Sequence, residues 1–211
     1  MSKIQSAFKK QRKCFIPFIT AGDPDLETTH KLIITMANAG ADIIELGIPF
    51  SDPVAEGEVI QAANIRALAA GTTTDKIFAM LEQVRRETDV PLVFLTYVNP
   101  IFTYGTEKFL AACRRTGIDG IIVPDVPYEE KAPLAKLCTE YGVDLIPLVA
   151  PTSAERIKMI AKDAQGYVYI VSSLGVTGVR KDITTDIAAI VQAIRSATDV
   201  PAAVGFGIAT P

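Results

Sequence analysis

The stretch Ala41-Asp42-Ile43-Ile44-Glu45-Leu46-Gly47 decides how the rest of the chain is read. It is a short aliphatic run of strand length, and it gives way to Ile48-Pro49-Phe50-Ser51-Asp52-Pro53-Val54-Ala55-Glu56-Gly57, a proline-stiffened segment that reads as a loop. A strand apolar on both faces is the mark of a parallel sheet covered by helices on its outer side. Working outward, similar runs recur at Phe15–Ala21, Pro91–Tyr97, Asp119–Pro124, Asp144–Ala150, Tyr167–Ser172 and Pro201–Gly205. Helical stripes lie between them: Ile77, Met80, Leu81, Val84; Phe109, Ala112, Cys113; Leu134, Leu137, Cys138, Tyr141; Ile157, Ile160, Ala161; Ile187, Ile190, Val191, Ile194. Seven strands alternating with helical stripes, without antiparallel interruption, predict a TIM (β/α)8 barrel rather than a doubly wound sheet. The first strand also lacks a glycine-rich dinucleotide fingerprint.

The chain has 211 residues, which suits one large domain; a barrel of this kind typically needs about 250 residues and eight strands. The expectation is therefore one domain over residues 1–211 with seven of the eight strands, the last βα unit lying beyond Pro211. With 49% apolar and 21% charged residues the chain is a folded one, and its net charge of -3 provides no basic footprint for nucleic acid. No apolar run approaches the roughly 18 residues of a membrane span. The basic start before Cys14–Thr20 imitates a signal peptide, but Pro17 interrupts it and Gly22-Asp23-Pro24 follows as a turn. Three cysteines without a Cys-x-x-Cys pair fit a reducing compartment, so a cytoplasmic location is expected. A single histidine, His30, removes most catalytic triads and imidazole metal sites. It falls on the helical stripe of Leu26, Ile33, Met36 and Ala37 and reads as a packing residue.

In barrels the chemistry sits at the carboxyl ends of the strands. Period two puts Ile43, Glu45 and Gly47 on one face, so Glu45 is a strand-end carboxylate among apolar neighbours. Burial there would raise its pKa toward neutrality, where one group can both give and take a proton; a salt bridge to a helix-borne Lys or Arg is the structural alternative. Two loops, Gly47–Gly57 and Ser173–Thr184, exceed the usual 2–6 residues by about twofold and are candidate lids. Asp52 or Glu56 could be held over the pocket by the first, although Asp-Pro is also an ordinary turn former. Gly175-Val176-Thr177-Gly178 and Gly205-Phe206-Gly207 follow two late strands and read as part of a phosphate cradle, with Arg180 and Lys181 nearby.

Taken together, Phe15-Ile16-Pro17-Phe18-Ile19-Thr20-Ala21-Gly22-Asp23-Pro24, Glu45-Leu46-Gly47-Ile48-Pro49-Phe50-Ser51-Asp52-Pro53, Pro124-Asp125-Val126-Pro127 and the two glycine clusters resemble the α subunit of tryptophan synthase, in the right order along the whole chain. The resemblance implies a lyase that cleaves indole-3-glycerol phosphate to indole and glyceraldehyde 3-phosphate by a retro-aldol route, with no cofactor and no metal in this subunit. It implies Glu45 as the catalytic glutamate and Glu56 at the position of the family's second acid, normally an aspartate. It places Phe18, Ile60, Leu95, Tyr97, Ile122, Tyr169 and Thr177 around the substrate, and Gly178, Gly205, Phe206 and Gly207 at the phosphate. It also implies a pyridoxal-phosphate-dependent β subunit as partner in an α2β2 complex, met through Asp52, Pro53 and Asn99–Tyr104. Glu56, and Glu58 where the family usually has proline, depart from the pattern. A non-catalytic barrel fragment that self-associates or only binds the β subunit is the competing expectation. Indole-3-glycerol-phosphate synthase is disfavoured because no lysine constellation at strand ends is apparent.

Overall fold

A computed structural model describes residues 2–9, 13–172 and 185–205. Its strands are β1 (Phe18–Thr20), β2 (Ile44–Gly47), β3 (Leu92–Leu95), β4 (Gly120–Ile122), β5 (Asp144–Leu145), β6 (Leu148–Val149), β7 (Val168–Val171) and β8 (Ala202–Gly205). Every pairing is parallel, in the order β1-β2-β3-β4-β5 and, separately, β6-β7-β8. The helices are α1 (Lys3–Ala7), α2 (Leu26–Asn38), α3 (Glu58–Ala69), α4 (Thr74–Val84), α5 (Val98–Tyr104), α6 (Thr106–Thr116), α7 (Ala132–Tyr141), α8 (Ala154–Lys162) and α9 (Ile187–Arg195). This is the barrel wall expected from the sequence, built among the described residues from seven strand positions.

The single strand predicted over Asp144–Ala150 is two short pieces, β5 and β6. The reason is Pro147, which carries no N–H for the ladder. Ile146 donates to the carbonyl of Ile121 at 2.9 Å, whereas the carbonyl of Pro147 accepts the N–H of Tyr169 at 2.9 Å. The first half of the segment thus leans on β4 and the second on β7. The other strands are also shorter than predicted: Phe15 and Pro17 pair through isolated carbonyl contacts to Asp42 and Glu45 but lie outside β1.

Side-chain alternation along the strands creates two cores. Outside the wall, Ile44, Leu46, Leu92, Phe94 and Ile121 pack under α2, α4 and α6, where Ile33, Ile77, Leu81, Val84, Phe109 and Cys113 are buried. Phe78 meets Phe94 and Phe109 edge-on, with centroids 5.7 and 5.5 Å apart. Val168 and Ile170 pack likewise under α8 and α9 against Ile157, Ile160, Ile190 and Ile194. Inside the wall, Ile43, Val93, Ile122, Ile146, Tyr167 and Tyr169 form the barrel interior.

Two features the sequence reading left out complete the floor. The basic start contains α1, whose Ile4 and Ala7 are buried in the interior cluster and whose neighbour Phe8 lies against Tyr167. Arg85, just after α4, donates to the carbonyls of Val90, Gly117 and Thr116 and to the Asp119 carboxylate, which in turn accepts the N–H of Leu92. One largely buried guanidinium thereby ties the α4–β3 and α6–β4 connections together at the N-terminal end of the strands, the end associated with stability.

Caps fix the helix starts: Asp25 for α2, Thr73 for α4, Ser153 for α8 and Asp186 for α9 each accept a backbone N–H with the side chain. His30 lies on α2 with Nε2 2.7 Å from Glu87, on the outside of the barrel. Cys113 and Cys138 are buried on helix inner faces, as their stripes predicted; burial pushes the Cys138 thiol up to about 12 and Cys113 well above its ordinary value, so neither is a reactive thiolate. Among the described residues no helix is long and apolar enough to cross a membrane.

Candidate active site

Glu45 projects from β2 into the barrel, as the period-two reading required. It is 5% exposed and sits in register with Phe18 of β1 and Val93 of β3. Its hydrogen-bond partner is the Tyr167 hydroxyl, which donates at 2.5 Å, rather than a lysine or arginine. A tyrosine stabilises the charged carboxylate far less than a cation would, so desolvation prevails. It lifts the Glu45 carboxyl from 4.5 to about 7. Near neutral pH this group is divided between its acid and base forms.

The loop between β2 and α3 brings a second carboxylate to the same place. Glu56 is 6% exposed, and burial raises its pKa; the Tyr97 hydroxyl, which donates to Glu56 Oε2, opposes that rise. Glu45 and Glu56 share a cavity of about 170 Å³ lined also by Phe18, Ala55, Ile60, Leu95, Pro124, Leu148 and Tyr169. Its walls are apolar apart from the two acids and the Tyr169 hydroxyl. A dry cavity of about 150 Å³ accommodates a benzene ring, so the space suits a small aromatic ring system.

Two glycines make room for these walls. A Cβ on Gly47 would stand 2.7 Å from Cζ of Phe18, and one on Gly205, at the end of β8, would overlap the Tyr169 hydroxyl. A larger residue at either position would displace a ring that lines the cavity.

The structure therefore gathers Glu45, Glu56, Phe18, Ile60, Leu95 and Tyr169 around one space. Tyr97 joins it through Glu56 rather than through the wall. Ile122 lies elsewhere: it is fully buried in the interior cluster with Val93, Ile43 and Ile146, because the last residue of β4 points into the packed layer and the lining role passes to Pro124 two residues on. Asp52 is exposed and hydrogen-bonded by Ser51 at 2.5 Å, the behaviour of a turn residue. Thr177, Gly178, Phe206 and Gly207, with Arg180 and Lys181, lie outside the described residues. Of the expected phosphate set only Gly205 is described.

Tyr167, Ala55, Pro124 and Leu148 were missed as site residues. Tyr167 was within reach, because period two places it on the same strand face as Tyr169. Leu148 was hidden by reading residues 144–150 as a regular strand.

A sequence model of the tryptophan synthase alpha chain matches residues 4–211. The tryptophan synthase alpha chain of Lacticaseibacillus casei is 51% identical over 211 residues, covering 100% of this chain and 79% of that protein. That of Alkaliphilus metalliredigens is 50% identical over 207 residues, covering 98% and 78%. Among solved structures, tryptophan synthase subunit alpha from Legionella pneumophila superposes with a TM-score of 0.88 at 38% identity, over 99% of this chain and 79% of that one. The tryptophan synthase α2β2 complex of Pyrococcus furiosus matches with a TM-score of 0.84 at 37% identity, over 92% of this chain and 78% of that one. With two buried acids facing one apolar cavity inside a parallel barrel, and with relatives of this closeness along its length, the chain belongs to the tryptophan synthase alpha chain family.

Proposed function

We propose that this chain cleaves indole-3-glycerol phosphate to indole and glyceraldehyde 3-phosphate, a carbon–carbon lyase step of tryptophan biosynthesis, with Glu45 moving the protons and Glu56 holding the heterocycle. The observation that supports the assignment is the pair of buried carboxylates on one apolar cavity, one of them tuned to about 7. Protonated Glu45 gives its proton to C3 of the indole ring, and the ring becomes cationic. The Glu56 carboxylate accepts the ring N–H and stabilises that charge. Glu45, now a carboxylate, takes the proton of the glycerol hydroxyl next to the scissile bond. The carbon–carbon bond breaks, its electron pair restores the neutral indole, and the oxygen left behind becomes the aldehyde. One residue acts first as acid and then as base, which is the service a pKa near 7 provides.

Gly205, followed by Phe206 and Gly207, and Thr177 with Gly178 are read as the phosphate and lid residues on the strength of the family pattern. The chain is read as one barrel domain working in the cytoplasm. The partner is a pyridoxal-phosphate-dependent β subunit in an α2β2 complex. Exposed apolar side chains support a docking face there: Val54 and Val59 beside the loop and Phe102 on α5 are each more than 70% exposed. The N–H of Ala55 donates to the Tyr97 hydroxyl, which holds these two segments side by side.

Indole release from indole-3-glycerol phosphate, assayed with and without a tryptophan synthase β subunit, tests this reading. Release that rises on adding the β subunit is expected; no release in either condition overturns it.

A further inference from the structure

Glu56 rides on a loop with almost no regular structure, so its carboxylate needs something outside the loop to fix it. Three contacts to one side chain meet that need. The Tyr97 hydroxyl donates to Glu56 Oε2 and accepts the N–H of Ala55 at 3.0 Å. The Tyr97 ring lies against Phe50, with centroids 5.5 Å apart. Phe50 stands at the start of the loop and Ala55-Glu56 near its end, so one tyrosine grips both. Tyr97 is 3% exposed, and the backbone beside it is pinned from β4's side of the barrel: the Asp125 carboxylate accepts the N–H of Val98 at 3.0 Å. The carbonyl of Glu56 is engaged in turn by Gln61 Nε2 at 2.7 Å.

We propose that Tyr97 is a positioning residue for the second acid: its hydroxyl holds the loop over the cavity and fixes the long Glu56 side chain so that the remaining carboxylate oxygen can receive a ring N–H. This rests on the functional reading above. Glutamate has one more rotatable bond than aspartate, and each freely rotating bond spreads the carboxylate over positions that do not meet the ring. A hydroxyl that binds both carboxylate and loop backbone removes that spread before substrate arrives. The groups that face Glu56 are Tyr97, Glu45 across the cavity, and Asp125, whose charge opposes ionisation of Glu56. Tyr97 is the hydroxyl donor among them that touches its carboxylate.

The test is Tyr97→Phe, which keeps the ring against Phe50 and removes only the hydroxyl. In indole release, kcat should fall by about 10- to 100-fold, the range that a displacement of about 1 Å produces, with KM changed less than threefold. The acidic limb of the pH profile should move upward, because the charged form of Glu56 loses a donor. In a Glu56→Gln background the same change should alter kcat less than twofold. An unchanged kcat and pH profile, or an equal loss in the Glu56→Gln background, overturns the proposal. Chymotryptic cleavage after Phe50 provides a readout that needs no turnover: it should be at least fivefold faster in Tyr97→Phe, and equal rates contradict the loop-holding role. Absence of indole release by the unaltered protein would refute the functional reading, while the proteolysis arm would still decide whether Tyr97 holds the loop.

Discussion

Glu45→Gln separates what the buried acid does for chemistry from what it does to the fold. Glutamine keeps the shape and an oxygen to accept from Tyr167, but it has no proton equilibrium. In the folded chain the carboxyl titrates at about 7 against 4.5 for the unperturbed group. Between those values the unfolded chain has released the proton and the folded chain still holds it, so stability falls as pH rises through the window and levels off above it. At 1.36 kcal/mol for each tenfold change in proton affinity, the loss is about 3 kcal/mol by pH 8 and under about 1 kcal/mol at pH 5. Glutamine escapes this loss. Urea unfolding of both proteins at pH 5, 6.5 and 8 should therefore show the variant gaining stability over its parent as pH rises, to about 3 kcal/mol at pH 8. Glu56, Asp119 and Asp144 are also raised by burial, but they are present in both chains and cancel in the difference. A difference independent of pH would refute the claim that Glu45 is a desolvated acid.

Arg85→Met should lower stability by about 3–5 kcal/mol, read as a shift in urea midpoint, because it strands Asp119 and several carbonyls at the barrel floor; a loss below 1 kcal/mol would show the network to be dispensable. Gly205→Ala should raise KM for indole-3-glycerol phosphate by at least tenfold, since the new methyl displaces the Tyr169 hydroxyl from the cavity wall; unchanged kinetics would place Tyr169 outside the site. Glu56→Asp should slow turnover by about tenfold, because the shorter side chain leaves the Tyr97 hydroxyl; faster turnover would mean that the longer acid is a handicap the loop has not absorbed.

The barrel was legible because β2 and its neighbours combine strand period with helical stripes that do not overlap. Ile43 and Glu45 against Ile44 and Leu46 divide between interior and outer core as alternation demands. Glu45 was legible by its place at a strand end; the long loop offered Asp52 and Glu56 alike, and only the family resemblance singled out Glu56. What was lost depended on contacts distant in sequence. Tyr167 meets Glu45 across 122 residues, and Tyr97 meets Glu56 across 41, so neither bond leaves a local pattern. The break at Pro147 was written in the sequence, but the flanking aliphatic residues outweighed it. α1 was obscured because its apolar residues are few; Ile4 and Ala7 gain their meaning only from the barrel floor they fill.

The central claim is that one buried carboxyl, poised near neutrality, carries both proton transfers. The most direct test is indole release by the parent protein and Glu45→Gln across pH 5–9 at saturating substrate. The account predicts a parent profile governed by a group near 7 and a variant slower by at least 10²–10⁴ at every pH, with KM within threefold. A variant that retains a tenth or more of the parent rate would contradict it.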